Sequence, residues 1–315
     1  MSAARPEPGR VLLAGLRRGL ATGWFLSRIM VPISAAVAAL QWTGALAWIG
    51  RALAPAMSVF GLPGEAAIAL VTGGFVGVYG AIAAASMVPL TAPQMTVLAL
   101  MVLTAHNLLV ESTVQARSGT SGPRMALLRI SVGLVLGALL WQVLRHAEPG
   151  PVVTREAATA ASAIPLATLA LSWAAGAARL VLKVFVVIGA LNVATELMRA
   201  YGLFDALLGK LRPVMRFLGL SERVAFLWLT ANVLGLAFGA GLLIDETASE
   251  RRYEAGELRD LHVSIAISHS LLEDTVLFLA VGASFFWIVA PRPLVAALVV
   301  RAMRRLSPSP AVSDV

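Results

Sequence analysis

Apolar residues dominate this chain in long runs, and polar residues fall between the runs or at a few fixed points inside them. A helix that crosses a bilayer needs about 20 predominantly apolar residues. Runs of that length cover roughly 28–49, 66–89, 94–116, 125–145, 178–200, 223–244, 260–281 and 284–303. None alternates with period two, so the pattern predicts helices rather than barrel strands. The expected fold is all-α: a polytopic membrane protein of about eight spanning or re-entrant helices.

Two runs carry interruptions. "VTGGFVGVYGAIAAA" is rich in glycine, and "IVAPRPLVAA" contains Pro291 and Pro293. Both are expected to be discontinuous or re-entrant. Ahead of the first run, residues 10–27 predict an amphipathic surface helix, because Arg17 and Arg18 interrupt its apolar positions. The segments 49–62 and 203–220 read as interfacial helices.

The pattern occurs twice. Pro55 matches Pro213, Met57 matches Met215, Gly61 matches Gly219 and Gly77 matches Gly235, each pair 158 positions apart. At His106 and His269 the offset becomes 163, and the polar loop "DETASERRYEAGELRD" accommodates the extra residues. An internal duplication is therefore expected, with repeats at 1–150 and 151–315 joined by "HAEPGPVVTREAATA". Duplicated halves are a recurrent plan for transporters, with the substrate at their interface. An even number of spans per half makes the halves parallel, and an odd number inverts them. Flanking basic residues give only a weak bias towards an inside N-terminus, and the basic cluster from Arg199 to Arg223 opposes it.

Composition agrees with the pattern. Hydrophobic residues make up 58% of the 315 and charged residues 13%, about half the charged share of a soluble domain. The net charge of +8 comes from arginines that flank apolar runs, so no nucleic-acid partner is expected. The absence of cysteine excludes disulfides and thiolate metal sites. No GxxxxGK[ST], HExxH, GxSxG or CxxC occurs, so the chain is not expected to be an enzyme or to hydrolyse nucleotide.

The candidate chemistry lies inside the membrane. "HNLLVES" and "HSLLEDT" align without gaps: His106 with His269, Asn107 with Ser270, Glu111 with Asp274. Glu273 is an additional acid in the second half. Residues four apart share a helix face, which joins Asn107 to Glu111, Ser270 to Asp274 and His269 to Glu273. The His-to-acid spacing of five leaves the two about 140° apart on a straight helix. Aiming both at one ion requires a local break or groups from both halves. An unpaired carboxylate at the bilayer centre costs about 2.5–3.5 kcal/mol on insertion scales. Such groups therefore bind a cation, relay protons, hydrogen-bond a polar solute, or pair with one another near a span end. The candidate substrate or ion-coupling residues are His106, Asn107, Glu111, Asn232, His269, Ser270, Glu273 and Asp274. His106, Glu111, His269 and Asp274 are the candidate metal set, suited to iron, manganese or zinc.

The paired "GGFVGVYGAIAAA" with "HNLLVEST", and "ANVLGLAFGAG" with "SHSLLEDT", resemble the nucleoside-recognition (Gate) family of prokaryotic membrane proteins. That family is similar to the membrane region of ferrous-iron transporter B and to the spore maturation proteins. The likeness covers roughly residues 25–300 and implies a multi-pass inner-membrane protein. Its name implies nucleosides, although no residue pattern here reads a base. The resulting expectation is a transporter of a small polar or charged solute, with a divalent metal cation as first choice. The rivals are a non-transporting scaffold or signalling subunit, and nucleoside transport. No cofactor is expected unless a divalent metal is the substrate. The bilayer is the expected partner, together with a small solute or metal ion and a second copy in a homodimer.

Overall fold

The computed structural model describes residues 7–146, 152–154, 165–233, 235–236, 240–247 and 253–306. Most of the expected linker between the halves, and parts of the second glycine-rich run and of the polar loop after it, lie outside the described residues.

Every regular element among the described residues is helical. The first half runs α1 (Pro8–Trp42), α2 (Ala45–Ser58), a 3₁₀ turn (Gly64–Ala66), α3 (Ala67–Val76), α4 (Val78–Ala85), α5 (Ala92–Thr104), α6 (Leu108–Arg117) and α7 (Gly122–Leu144). The second runs α8 (Leu166–Ala200), α9 (Leu203–Leu208), α10 (Arg212–Leu218), a 3₁₀ turn (Glu222–Val224), α11 (Ala225–Val233), α12 (Ala240–Thr247), α13 (Ala255–Ser268), α14 (Glu273–Ala280), α15 (Phe285–Val289) and α16 (Pro291–Leu306). Both α1 and α8 have 35 residues, and each bound of α8 lies 158 positions beyond that of α1.

Six stretches among the described residues are long and apolar enough to cross a membrane: Pro8–Trp42, Ala92–Arg117, Gly122–Leu144, Leu166–Ala200, Ala255–Ala280 and Phe285–Leu306. The other two expected runs are broken. α3 and α4 have 10 and 8 residues, about 15 and 12 Å of helix, which is too short for a 30 Å hydrocarbon core. Gly77 turns the chain between them at φ 104°, ψ −176°, a conformation that excludes a side chain in practice. Thr72 Oγ1 lies 3.3 Å from the Gly80 carbonyl across the turn, so the two arms form a hairpin.

Two expectations are corrected. The surface helix at 10–27 and a separate first span from 28 do not form, because α1 runs through both without a break and through Pro32 as well. Two of its charges have partners: Arg18 pairs with Glu196 of α8, and Arg28 lies over the Trp24 ring one turn away on the same helix. The prolines at 291 and 293 separate α15 from α16 at Ala290, but Phe285–Leu306 remains one stretch long enough to cross rather than a re-entrant segment. They occupy the first turn of α16, where a missing N–H costs nothing.

α1 and α8 pack antiparallel. A Cβ built on Gly15 would meet Val193, one on Gly19 would meet the Gly189 backbone at 2.7 Å, and one on Gly23 would meet Phe185. Small residues let the two backbones approach closely. At the far end, Trp173 Nε1 donates to Ser34 Oγ at 3.2 Å. Helices that correspond at an offset of 158 therefore run in opposite directions. α5 and α13 fill the centre, where Met95 to Thr104 and Asp260 to Ser268 are continuously buried. Each of the two apolar cores draws residues from both halves: Leu26 and Leu98 pack with Ile188 and Phe278, and Val114 and Met125 pack with Leu227 and Ile265.

The chain contains no native cysteine, so the antiparallel arrangement can be tested by labelling. Thr43 and Tyr201, both exposed, follow α1 and α8 directly. Thr43→Cys and Tyr201→Cys are expected to react with an impermeant maleimide from opposite faces of sealed vesicles. Reaction of both from one face would refute the arrangement.

Candidate functional site

The site forms where two membrane helices stop and restart. α5 ends at Thr104 and α6 begins at Leu108, while α13 ends at Ser268 and α14 begins at Glu273. Asn107 (φ 46°) and Ser270 (φ 51°) turn the chain at these breaks, and among the described residues they are the non-glycine positions with positive φ. Such a conformation is costly for a residue with a side chain and persists only where its surroundings enforce it. Here the neighbouring helices α3 and α11 supply acceptors that hold it. Asn107 N donates to the Gly73 carbonyl at 2.9 Å, and Ser270 N donates to the Ala231 carbonyl at 3.1 Å.

A break inside a bilayer frees backbone carbonyls that must find donors. Two arginines provide them. Arg129 of α7 donates from Nε to the Thr104 carbonyl at 3.0 Å and from Nη2 to the His106 carbonyl at 2.7 Å. Arg292 of α16 donates to the Ile288 carbonyl at 2.7 Å, the His269 carbonyl at 3.2 Å and Thr275 Oγ1 at 2.7 Å. Both side chains are wholly buried. Like the histidines, the two arginines stand 163 positions apart, yet neither is among the residues that the motifs single out. A charged residue inside a predicted span, repeated at the established offset, is the signal that could have found them.

The breaks bring the two histidines together. His106 Nδ1 donates to the Val102 carbonyl at 3.1 Å, and His269 Nδ1 donates to the Ile265 carbonyl at 2.7 Å. A carbonyl only accepts, so each Nδ1 carries a proton and each Nε2 faces inward, where it can hold a proton or a cation. The two Nε2 atoms lie 3.3 Å apart. Glu111 Oε1 is 3.3 Å from His106 Nε2, and Glu111 Oε2 is 3.0 Å from His269 Nε2. Asp274 Oδ2 is 3.3 Å from His106 Nε2. Arg129 Nη1 approaches Glu111 Oε2 to 2.7 Å as an ion pair, misaligned for a hydrogen bond. Glu111, Glu273 and Asp274 lie in the first turns of α6 and α14, where the helix dipole favours negative charge.

The structure thus gathers His106, Glu111, His269 and Asp274. The donor atoms of His106, Glu111 and His269 all lie within 4.8 Å of one another, and Asp274 joins through His106. Such a set of imidazole nitrogens and carboxylate oxygens suits a divalent first-row cation. Asn107 and Ser270 line the same small cavity, of about 80 Å³, with Gly77, Tyr79 and Glu273. Glu273 does not pair with His269, because the break separates them; it bonds to the Tyr79 hydroxyl. It also lines a second cavity, of about 260 Å³, with Arg18, Asn192 and Glu196. Asn232 is buried, but its amide nitrogen donates to the Trp228 carbonyl of its own helix, and it is not in the described lining of the small cavity.

These features define an all-helical, multi-pass membrane protein with a buried polar centre at two interrupted helices. Residues 24–172 match the model of the nucleoside recognition (Gate) family, which bears out over that segment the resemblance carried by the paired motifs. Over 280 residues the chain is 29% identical to a Bacillus subtilis (strain 168) protein described as uncharacterized membrane protein YvoD, covering 87% of each chain. Over 95 residues it is 38% identical to inner membrane protein YjiG of Escherichia coli (strain K12), covering 28% of this chain and 60% of that protein. No solved structure matches the chain.

Removing Arg129 strands Glu111 and two carbonyls in a dry interior. Arg129→Met is expected to destabilise the protein by about 3–5 kcal/mol, the usual cost of breaking a buried pair. Adding Glu111→Gln should recover a substantial part of that loss. Reversible unfolding in detergent would measure both, and a single-variant loss below about 1 kcal/mol, the level of a surface pair, would be incompatible with this role.

Proposed function

We propose that the protein transports a divalent metal cation, held as substrate by His106, Glu111, His269 and Asp274 between the two broken helices. The observation that carries this reading is the spacing of the donor atoms. From His106 Nε2 the distances to His269 Nε2, Glu111 Oε1 and Asp274 Oδ2 are each 3.3 Å. A tetrahedron with metal–ligand bonds of about 2.0–2.1 Å has edges of about 3.3–3.4 Å. Both imidazoles are also oriented as ligands are, with the outer nitrogen bonded to a backbone carbonyl. Left without a cation or a proton, the inward lone pairs and carboxylates would repel one another.

Charge supports a mobile ion rather than a permanent one. With all three carboxylates ionised and both imidazoles neutral, Glu111, Glu273 and Asp274 outnumber Arg129 and Arg292 by one negative charge. A divalent cation takes that net charge from −1 to +1, which limits affinity and favours release. The absence of thiolates disfavours copper(I) and leaves iron(II), manganese(II) and zinc(II). The family description raises nucleosides as a rival, but a cavity of about 80 Å³ with Tyr79 as the one phenolic or indole ring in its described lining fits a small ion better. The two halves act as an inverted repeat in this reading. Its support is the antiparallel pairing of α1 with α8 and the meeting of His106 with His269. The inner membrane is the proposed location, in keeping with the description of YjiG as an inner membrane protein.

Purified protein is expected to bind at least one of iron(II), manganese(II) and zinc(II), and proteoliposomes to take it up. Affinity should fall as pH is lowered, because protons and metal compete for the same Nε2 lone pairs. The double variant His106→Ala, His269→Ala should lose more than the roughly 10–100-fold that follows loss of a supporting hydrogen bond. Equal binding by the folded variant, or no binding by wild type, would defeat the proposal. Binding without uptake would instead place the ion in a scaffold.

A further inference from the structure

A separate cavity of about 450 Å³ opens beside α8, against α4 and the start of α5. Its walls are mainly apolar and include Ile82, Met95, Leu180 and Val281. Arg179 and Lys183 also line it, and no carboxylate is among its described lining residues. Both basic residues are exposed. Together with Leu182 and Val186 they fall at i, i+3, i+4 and i+7, one stripe of the helix. Leu182 and Val186 are 66% and 64% exposed, and on a spanning helix that stripe faces lipid. Lys183 Nζ donates to the Ala280 carbonyl at the end of α14 at 2.9 Å, and Arg179 Nε donates to the Ala175 carbonyl at 3.3 Å. Among the described groups, neither cation has an anionic partner.

Two positive charges on a lipid-facing stripe are costly unless an anion meets them. The apolar wall beside the two cations suits the acyl chain of an anionic lipid and gives a soluble anion nothing to bury. We propose that this cavity binds one anionic phospholipid. The phosphate bridges Arg179 and Lys183, and an acyl chain lies along Ile82, Met95, Leu180 and Val281. The site is independent of the histidine centre. Because Lys183 also caps α14, whose first turn carries Glu273 and Asp274, the lipid contacts the same short helix from its other end.

The test is native mass spectrometry of the full chain, delipidated in detergent and titrated with phosphatidylglycerol, phosphatidylcholine or inorganic phosphate. Wild type is expected to prefer phosphatidylglycerol over phosphatidylcholine by about 10- to 30-fold, the scale set by two basic residues meeting one anionic headgroup. Arg179→Gln with Lys183→Gln should abolish the preference, and Arg179→Lys, which keeps the charge, should retain most of it. If the double variant does not fold, the single variant Arg179→Gln should show a partial loss. Equal binding of the two lipids, or an undiminished preference in a folded Arg179→Gln or double variant, would overturn the proposal. Displacement of phosphatidylglycerol by inorganic phosphate would overturn it in favour of a soluble anion.

Discussion

A helix interrupted inside a bilayer has to return its freed carbonyls to donors, and this requirement organises the protein. Two helices break, and each break is closed by one arginine from the next long helix. Arg129 holds the Thr104 and His106 carbonyls, and Arg292 holds the His269 carbonyl. A guanidinium presents five donors in a rigid fork, so it can serve several acceptors at once. Its charge must be matched nearby, and the Glu111 carboxylate beside Arg129 matches it. The polar centre follows from the breaks rather than being added to an intact bundle.

The same constraint ties the two halves together. His106 and His269 converge only when the breaks face each other. The glycines of α1 permit this by letting α8 approach closely and antiparallel. The apolar cores then form across the halves, so packing, helix interruption and the imidazole pair are one cooperative arrangement.

Much of this was legible in the chain. Apolar run lengths marked the membrane helices, and the glycines at 73, 74 and 77 marked the first hairpin. The His-to-acid spacing of five required either a break or groups from both halves, and the structure contains both. What stayed hidden depended on partners distant in sequence. The continuity of α1 through Arg17, Arg18 and Pro32 rests in part on Glu196, which is 178 residues from Arg18. Glu273 looked like a partner for His269 because a straight helix was assumed, and the break sends it to Tyr79 instead. Pro291 marked the junction of α15 with α16, but the sequence did not show that the two stay in one crossing stretch.

The hydrogen bonds that tie each broken helix to its neighbour run from main chain to main chain, from Asn107 N to the Gly73 carbonyl of α3 and from Ser270 N to the Ala231 carbonyl of α11. A latch of this kind places little demand on which side chain sits at its acceptor end. Glycine occupies one copy and alanine the other. Over evolutionary time the letters at 73 and 231 can change while the clasp persists, whereas positive φ confines 107 and 270 to the few residues that tolerate it. Divergent relatives would then keep the architecture of the centre long after the short motifs around it had ceased to align.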